Sequence, residues 1–304
     1  MKKEDFLEGI PLVKNEEDVI EAYRAAGRIL EKALNEGKRL AKPDVLIIEL
    51  CEAVEEKILS EGGELAFPCN VSVNDVAAHY TSPPGDETRI PREAIVKIDA
   101  GAHVDGYIVD KAISVSTSAK WRRLVHATEE ALKKALKEVK PNVPVKVLGK
   151  TIEKVIRSFG FNPVVNLSGH QIERYTLHAG KSIPNFNARH ALSRIRRGEV
   201  YAIEPFATNG VGLVMATGKA YIYRIVNPKE VPPLLRDILE RYNSLPFAVR
   251  WVRDIRRKRA IQVLRYLTKK GVLAAYPILV EKSRGWVAQS ETTVLVTENA
   301  CEVF

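Results

Sequence analysis

Cysteine is scarce in this chain of 304 residues, which holds three, Cys51, Cys69 and Cys301, with no CxxC pair among them. That scarcity argues against a disulfide framework and against a zinc site built from thiolates. No run of about 18 apolar residues occurs, so the sequence offers nothing that could span a membrane. Residues 1–18 are charged and lack the apolar core of a signal peptide. We therefore expect a cytosolic protein with no membrane partner.

The composition is that of an ordinary globular protein, with 45% hydrophobic and 28% charged residues. Its length is sufficient for a large core and for one or two domains. The formal net charge of +9 has two readings. It indicates either a solvated basic surface or an acidic partner such as nucleic acid.

An internal repeat constrains the fold more than any single motif. Residues 42–63 and 140–161 align without a gap, and each copy has Pro with Asp or Asn before a helical pattern and Gly after it. Residues 1 to about 118 and about 119 to 218 therefore resemble two copies of a helix–helix–strands unit, unless two amphipathic helices match by chance. A true repeat predicts two α+β halves around a pseudo-twofold axis, with a site between them.

The stretch from about 228 to 280 breaks this pattern, because it is mostly helical before strand alternation returns near the end of the chain. We interpret it as a helical insertion subdomain within the second half. The resulting expectation is a single catalytic domain over 1–304, with halves of about 1–118 and 119–304. Within the insertion, residues 250–270 hold nine Lys or Arg, which indicates a solvated helix face or a surface that docks weakly on ribosomal RNA.

Two aspartates, Asp99 and Asp110, lie in the apolar alternating stretch "VKIDAGAHVDGYIVDKAISV". They are symmetric about Val104–Asp105, so a tight turn there would place them nearly opposite each other on two antiparallel strands, about 4.5–5.5 Å apart at Cβ. Two carboxylates that close raise each other's pKa unless a cation intervenes. The alternatives to a metal are a protonated aspartate or a salt bridge to Lys97 or Lys111.

Three further ligand-type residues lie in or beside strand-like segments: His170, Glu204 and Glu291. Each alone would more often be a hydrogen-bonded core residue. Four carboxylates and one imidazole on converging strands instead predict two divalent cations, because uncompensated charge would unfold the core. A carboxylate-rich site without sulfur suits Mn(II), Fe(II) or Co(II), and metals about 3.5–4 Å apart are known in hydrolases that include aminopeptidases.

These five residues, in this order, resemble the dinuclear metal ligands of the methionine aminopeptidases of the pita-bread fold. The segment "FPCNVSVNDVAAHYTS" resembles the family's segment that carries a histidine near the scissile bond, here His79. The segment "SGHQIERYTLHAG" and the helical insertion resemble the type II form, which archaea and eukaryotes have. The resemblance covers nearly the whole chain. It implies an α+β pita-bread fold and an enzyme, a methionyl aminopeptidase, that removes the initiator methionine from nascent proteins and peptides with a small second residue.

The resemblance also implies how each ligand binds. Asp99 would chelate one metal through both oxygens, and His170 and Glu204 would hold the other. Asp110 and Glu291 would bridge the pair, with a water or hydroxide between the metals as the nucleophile.

The same resemblance assigns roles around the substrate. Glu204 would take the proton of the water and deliver it to the leaving amine. His178 would stabilise the tetrahedral intermediate, and His79 would contact the scissile amide from the other side. Phe67 and Leu177 are candidate walls for the methionine side chain. We expect His103, His126 and His190 to be noncatalytic.

Two positions depart from the family pattern. Lys111 follows Asp110 where a small residue is typical, and "SETT" places Thr292 after Glu291 where the family has an "EHT" run. A regular strand would point Lys111 away from Asp110 into solvent. The departures concern metal preference and rate, because neither removes a ligand.

Two other functions stay open from the sequence. One is a noncatalytic pita-bread protein that binds ribosomes or RNA, although such proteins have typically lost metal ligands. The other is a proline-directed relative, an aminopeptidase P or a prolidase, which shares the metal core. We expect the protein to be a monomer.

Overall fold

The computed structural model describes residues 15–252 and 257–304. Up to the end of the aspartate hairpin the elements are α1 (Glu16–Leu40), α2 (Ile47–Ser60), β1 (Glu64–Val73), β2 (Val76–Ala78), β3 (Ile95–Val104) and β4 (Tyr107–Ser116). The next group is α3 (Arg122–Leu136), α4 (Val145–Ser158), β5 (Asn162–Pro163), β6 (Ser168–Ile172), β7 (Ser182–Pro184), β8 (Val200–Ile203), β9 (Phe206–Thr208) and β10 (Val214–Ile225). The last group is α5 (Arg236–Tyr242), β11 (Phe247–Ala248), α6 (Arg257–Lys269), β12 (Leu273–Glu281), β13 (Val287–Gln289), β14 (Thr292–Val296) and β15 (Cys301–Val303). The chain is thus a mixture of helices and mostly antiparallel strands, as the α+β expectation requires.

The repeat found in the sequence corresponds to two matching helices, α2 and α4. Each is 14 residues long and is preceded by a residue in the left-handed region, Asp44 (φ 67°) or Asn142 (φ 67°). Each is followed by a glycine in the same region, Gly62 (φ 86°) or Gly160 (φ 81°). A left-handed residue after a helix is a common way of ending it, and glycine adopts it without steric cost. The two segments therefore begin and end with the same local geometry.

The described residues form four sheets, in the orders β1-β3-β4, β15-β14-β8-β6-β7, β11-β10-β12-β2 and β13-β9-β5. Helices α1 and α2 cover the first sheet, where Leu30, Val54 and Ile98 share one core. Helices α3 and α4 pack near a second core that contains Ile152 and Val294. A single antiparallel bridge, between Ala112 and Glu291, joins the first sheet to the second. Among the described residues, no helix is both long and apolar enough to cross a membrane.

The aspartate hairpin forms as expected, but its register differs from the one predicted. The two-residue turn is Asp105–Gly106, with both residues at positive φ (51° and 81°). The centre of the hairpin is therefore one position later than the predicted Val104–Asp105. Asp99 consequently pairs with Ala112, and Asp110 pairs with Gly101, so the two aspartates are diagonal neighbours rather than directly opposite. The turn forms there because glycine readily takes a positive φ, as a two-residue hairpin loop requires.

The predicted insertion contains helices and also a sheet strand. Helices α5 and α6 pack with β10 and β11 around a third core that includes Tyr223, Leu235 and Leu264. The end of the predicted range is not helical, because β12 pairs there with β10 and β2. The β-branched and aromatic run before Glu281 favours a strand.

The basic stretch 250–270 is not one solvated face. The side chain of Arg250 is 4% exposed and forms an ion pair with Glu55 of α2. Glu55 also accepts hydrogen bonds from the main-chain N–H of Cys69 (2.9 Å) and from Nε1 of Trp251 (3.1 Å). Residues 253–256 lie outside the described residues, whereas Arg259, Arg265, Lys269 and Lys270 are exposed. Arg250 thus joins the insertion to α2 and is unavailable to RNA.

We expect Glu55→Ala to lower the free energy of unfolding by about 3 kcal/mol, because it leaves the Arg250 guanidinium buried without its partner. Urea unfolding would measure the loss. The matched control is Glu61→Ala at the C-terminal end of α2, which removes an acidic partner of Lys32 and Lys57 at the surface. It should lower the free energy of unfolding far less. The double variant Glu55→Leu with Arg250→Met should recover most of the stability. Equal losses for Glu55→Ala and Glu61→Ala would contradict this account.

Candidate metal centre

All five predicted ligands line one cavity of about 390 Å³. Asp99 lies on β3, Asp110 on β4 and His170 on β6, while Glu204 directly follows β8 and Glu291 directly precedes β14. Residues that are far apart in the chain meet because the bridge between Ala112 and Glu291 brings the hairpin against the second sheet. The convergence predicted from the sequence is therefore present in the fold.

The ligand atoms are close enough to share a cation. Asp110, His170 and Glu291 each offer one donor atom, and these three atoms lie within 4.8 Å of one another. Nε2 of His170 is 3.5 Å from Oδ2 of Asp110 and 3.9 Å from Oε1 of Glu204. These separations are too long for good hydrogen bonds. An ion between the atoms could instead be bound by all of them.

Burial and mutual repulsion dominate the electrostatics of the four carboxyl groups. Burial raises the pKa of Asp110 to about 8. Burial, with repulsion from Asp110 and other carboxylates, raises the pKa values of Asp99, Glu204 and Glu291 well above the ordinary range. Burial also lowers the pKa of His170 to about 4, so the imidazole is neutral at pH 7. The site therefore holds a strong excess of potential negative charge.

Neither lysine suggested as a salt-bridge partner compensates this charge. The ammonium of Lys97 donates to the main-chain oxygens of Asn74 (3.1 Å) and Val287 (2.9 Å). Lys111 pairs with Glu31 of α1 at 2.7 Å. In the part of the chain that the structure describes, His170 is the sole basic side chain within salt-bridge distance of the four carboxylates. The salt-bridge alternative is therefore wrong.

The donor set fits divalent metal ions. Oδ1 of Asp99 and Oδ1 of Asp110 are buried and have no hydrogen-bond partner. Buried polar atoms without a partner are rare in folded proteins and call for an explanation. A bound ion would explain both. Four carboxylates with one imidazole and no thiolate match the preferences of Mn(II), Fe(II) and Co(II).

Neighbouring polar groups orient the ligands, and sequence reasoning missed them. Nε2 of Gln289 donates to Oε2 of Glu291 (2.8 Å), and the polar side chains of Gln289 and Asn70 partly offset the rise in the pKa of Asp99. The available signal was the strand period of two, since Gln289 and Glu291 share a face, and Asn70 pairs with Asp99 across β1 and β3.

Two histidines and a tyrosine form the other wall of the cavity. Nδ1 of His79 lies 3.1 Å from the oxygen of Pro277 and must donate to it, which leaves Nε2 of the neutral ring as an acceptor. His79 also has a positive φ of 65°, an uncommon conformation that is frequent at functional sites. Burial lowers its pKa. Burial, with nearby His170, His79 and Arg224, lowers the pKa of His178 to about 3. Tyr276, which sequence reasoning did not identify, packs edge-on to His79 and stacks with His178.

Phe67 and Leu177, the predicted walls for a methionine side chain, are buried and line the same cavity. Phe67 can lie against β3 because Gly101 has no side chain, since a Cβ there would be 2.3 Å from the ring. The three histidines expected to be noncatalytic, His103, His126 and His190, are not among the residues that line the cavity.

The two departures from the family pattern do not reach the cavity. Lys111 points to the opposite face of β4 from Asp110, and its side chain is 15% exposed, so it is an ion-paired residue and not a freely solvated one. Oγ1 of Thr292 donates to the main-chain oxygen of Phe304 at 3.1 Å. Neither side chain competes with a metal for a ligand.

The raised pKa values predict an unusual dependence of stability on pH. Between about pH 4, the ordinary pKa of an aspartate, and about pH 8, metal-free native protein holds a proton on Asp110 that the unfolded chain has released. The melting temperature of EDTA-treated protein should therefore fall as pH rises through this window. The increase in melting temperature on adding Mn(II) should grow over the same window, because metal binding displaces those protons.

Thermal unfolding across this pH range, with and without Mn(II), tests that prediction. Asp110→Asn serves as the control, since it should flatten the metal-free slope. A metal-free melting temperature that rises with pH, or a Mn(II) effect independent of pH, would contradict it.

Comparison with known proteins agrees with this geometry. The model of metallopeptidase family M24 matches residues 21–298. The chain is 44% identical to the methionine aminopeptidase of Methanothermobacter thermautotrophicus over 94% of its length and 98% of that relative. It is also 44% identical to the methionine aminopeptidase of Pyrococcus horikoshii, over 91% and 96% of the two chains.

Solved structures agree on the fold. The methionine aminopeptidase of Thermotoga maritima superposes with a TM-score of 0.70 at 22% identity, covering 96% of this chain and 97% of that one. A thermophilic Arx1 superposes with a TM-score of 0.82 at 21% identity, over 94% and 90%. These similarities confirm the α+β pita-bread fold. The protein belongs to metallopeptidase family M24, with the archaeal methionine aminopeptidases among its relatives.

Proposed function

We propose that the protein is a methionine aminopeptidase that removes the N-terminal methionine from nascent proteins and peptides, with preference for a small second residue. The observation that carries the proposal is the convergence of Asp99, Asp110, His170, Glu204 and Glu291 on one cavity. That set occurs in a chain that matches methionine aminopeptidases over nearly its whole length.

The five ligands would hold two divalent ions, with Mn(II), Fe(II) and Co(II) as the candidates. Asp99 would serve one ion and His170 with Glu204 the other, while Asp110 and Glu291 would be shared. Bound ions of this kind supply a water of nearly neutral pKa and polarise the scissile carbonyl. The closeness of the Asp110, His170 and Glu291 donor atoms supports this assignment.

Three side chains of the protein would carry the remaining steps. Glu204 would accept the proton of the attacking water and pass it to the leaving amine. His178, neutral because its pKa is lowered, would donate a hydrogen bond to the oxygen that gains charge in the transition state. Nε2 of His79, the free acceptor, would accept a hydrogen bond from the N–H of the scissile amide.

The shape of the cavity supports a methionine side chain as its occupant. Phe67 and Leu177 are apolar walls, as the sequence predicts, and Phe206, Ile222 and Tyr276 add to them. A flexible thioether fits such an irregular apolar space well. The substrate's free α-amine would lie nearest Asp99, which would confine cleavage to the N-terminal residue.

We also propose that residues 1–304 form a single catalytic domain with halves of about 1–118 and 119–304, and that the protein acts as a cytoplasmic monomer. The matching geometry of α2 and α4 supports the two halves. The separate core of the stretch 228–280 supports its assignment as an insertion subdomain.

Metal-stripped protein should release methionine from Met-Ala-Ser only after Mn(II), Fe(II) or Co(II) is added. Asp99→Ala and Glu291→Ala should abolish the release, because each removes an anionic ligand. His126→Ala changes an exposed histidine outside the cavity and is the matched control, which should retain activity.

The alternative functions correspond to distinct outcomes of the same assay. Metal binding with cleavage of X-Pro peptides instead of Met-Ala-Ser would favour a proline-directed enzyme. Absence of metal binding would favour a noncatalytic binding protein.

Weak ribosome association through the insertion is a second, separable proposal. Arg259, Arg265, Lys269 and Lys270 are exposed on or just after α6, where phosphate contacts are sterically possible. Changing all four to Gln should reduce co-sedimentation with ribosomes, most clearly at low salt, and leave Met-Ala-Ser hydrolysis intact. The control neutralises the exposed residues Lys133, Lys134, Lys137 and Lys140. Equal co-sedimentation of the two variants would overturn the proposal.

A further inference from the structure

The segment from β13 to β14, which contains Glu291, meets β4 along a seam that is not an ordinary ladder. Ala112 and Glu291 exchange both main-chain hydrogen bonds, at 3.3 and 2.9 Å. In an antiparallel ladder the next such pairs would follow at every second residue. They would join Ser114 to Gln289 and Asp110 to Thr293. The bridge nevertheless stands alone.

At both expected positions a side-chain hydroxyl stands between the two main chains. Oγ of Ser114 donates to the oxygen of Gln289 (2.7 Å) and accepts from its N–H (2.8 Å). Oγ1 of Thr293 donates to the oxygen of Asp110 (2.9 Å) and accepts from its N–H (2.8 Å). The two hydroxyls replace the missing main-chain bonds symmetrically, one contributed by each strand. The strands are therefore spaced by one hydroxyl on either side of the direct bridge.

Every pair along this seam includes a residue of the metal centre. The central pair holds Glu291, one flank holds Asp110, and the other holds Gln289, whose amide donates to Glu291 at 2.8 Å. The ammonium of Lys97 donates a hydrogen bond to the main-chain oxygen of Val287, two residues before Gln289, at 2.9 Å. The spacing of the seam thus decides how far the carboxylates of Asp110 and Glu291 lie from each other.

We propose that Ser114 and Thr293 are positioning residues whose hydroxyls set this spacing and with it the affinity of the metal centre. The inference rests on the metal centre proposed above. Without a hydroxyl, the strands either close into a direct ladder or leave buried main-chain groups unpaired. Either change displaces Asp110 and Glu291 relative to each other. Groups that orient metal ligands in this way are typically worth about 10–100-fold in affinity.

Calorimetric titration of metal-stripped protein with Mn(II) tests the proposal without relying on activity. Ser114→Ala and Thr293→Val should each weaken Mn(II) binding about tenfold. Thr293→Ser keeps the hydroxyl and should restore the affinity of the wild type. The two positions are independent, so the test survives if one variant fails to fold.

Thr117→Val is the matched control. Its hydroxyl also accepts from one main-chain N–H, that of Ala94 (2.8 Å), and donates to one main-chain oxygen, that of Arg92 (2.9 Å), at the open end of the hairpin and outside the cavity. This variant should lower the melting temperature as the others do, with unchanged Mn(II) affinity.

The outcomes separate the two proposals. Mn(II) affinity that is unchanged in Ser114→Ala and Thr293→Val, with a lowered melting temperature as in Thr117→Val, would mean that the hydroxyls serve stability alone and would overturn the positioning role. Failure of the wild type to bind Mn(II) would overturn the metal centre itself, and the positioning role with it.

Discussion

The repulsion among four buried carboxyl groups is the constraint on which the rest of this structure depends. Burial of one unpaired carboxylate costs several kcal/mol, and repulsion from Asp110 and Asp99 raises the pKa values of Glu204 and Glu291 further. The described residues place no lysine or arginine beside them, and the nearest imidazole is neutral at pH 7. The native fold at neutral pH must therefore either retain protons in its centre or bind cations there. For a metallopeptidase of family M24, binding cations is the expected choice.

Burial also determines what the histidines can do. The pKa values of His79, His170 and His178 are all lowered by desolvation, so none of the three offers positive charge to offset the carboxylates. Each neutral ring instead has one donor and one acceptor nitrogen, and for His79 the oxygen of Pro277 decides which is which. The same burial that forces the carboxyl groups to retain protons or bind cations therefore keeps the three imidazoles neutral. The electrostatic and hydrogen-bonding properties of the centre have a common cause.

The sequence was sufficient to find the four carboxylates that converge on the cavity, because a carboxylate in an apolar strand is an anomaly in a pattern of period two. It was insufficient where a feature depends on geometry between distant segments. The hairpin register was wrong by one position because the turn centre moved to Gly106. Arg250 was grouped with a basic surface, since nothing near it in sequence reveals its pairing with Glu55. The contact of Gln289 with Glu291 was not predicted, because a neutral amide in a strand is not unusual.

The departures from the family pattern lie next to two candidate ligands in the chain but do not reach the cavity. Lys111 is adjacent to Asp110 in the chain, yet the alternation of the strand sends its ammonium to Glu31 on α1, away from the cavity. Thr292 is adjacent to Glu291 and for the same reason reaches the main chain of Phe304. Both side chains leave their strands on the face turned away from the ligands, so neither reaches the cavity. Residues two positions away, such as Gln289 and Thr293, share the inner face with the ligand, and there substitutions bear directly on the metal site.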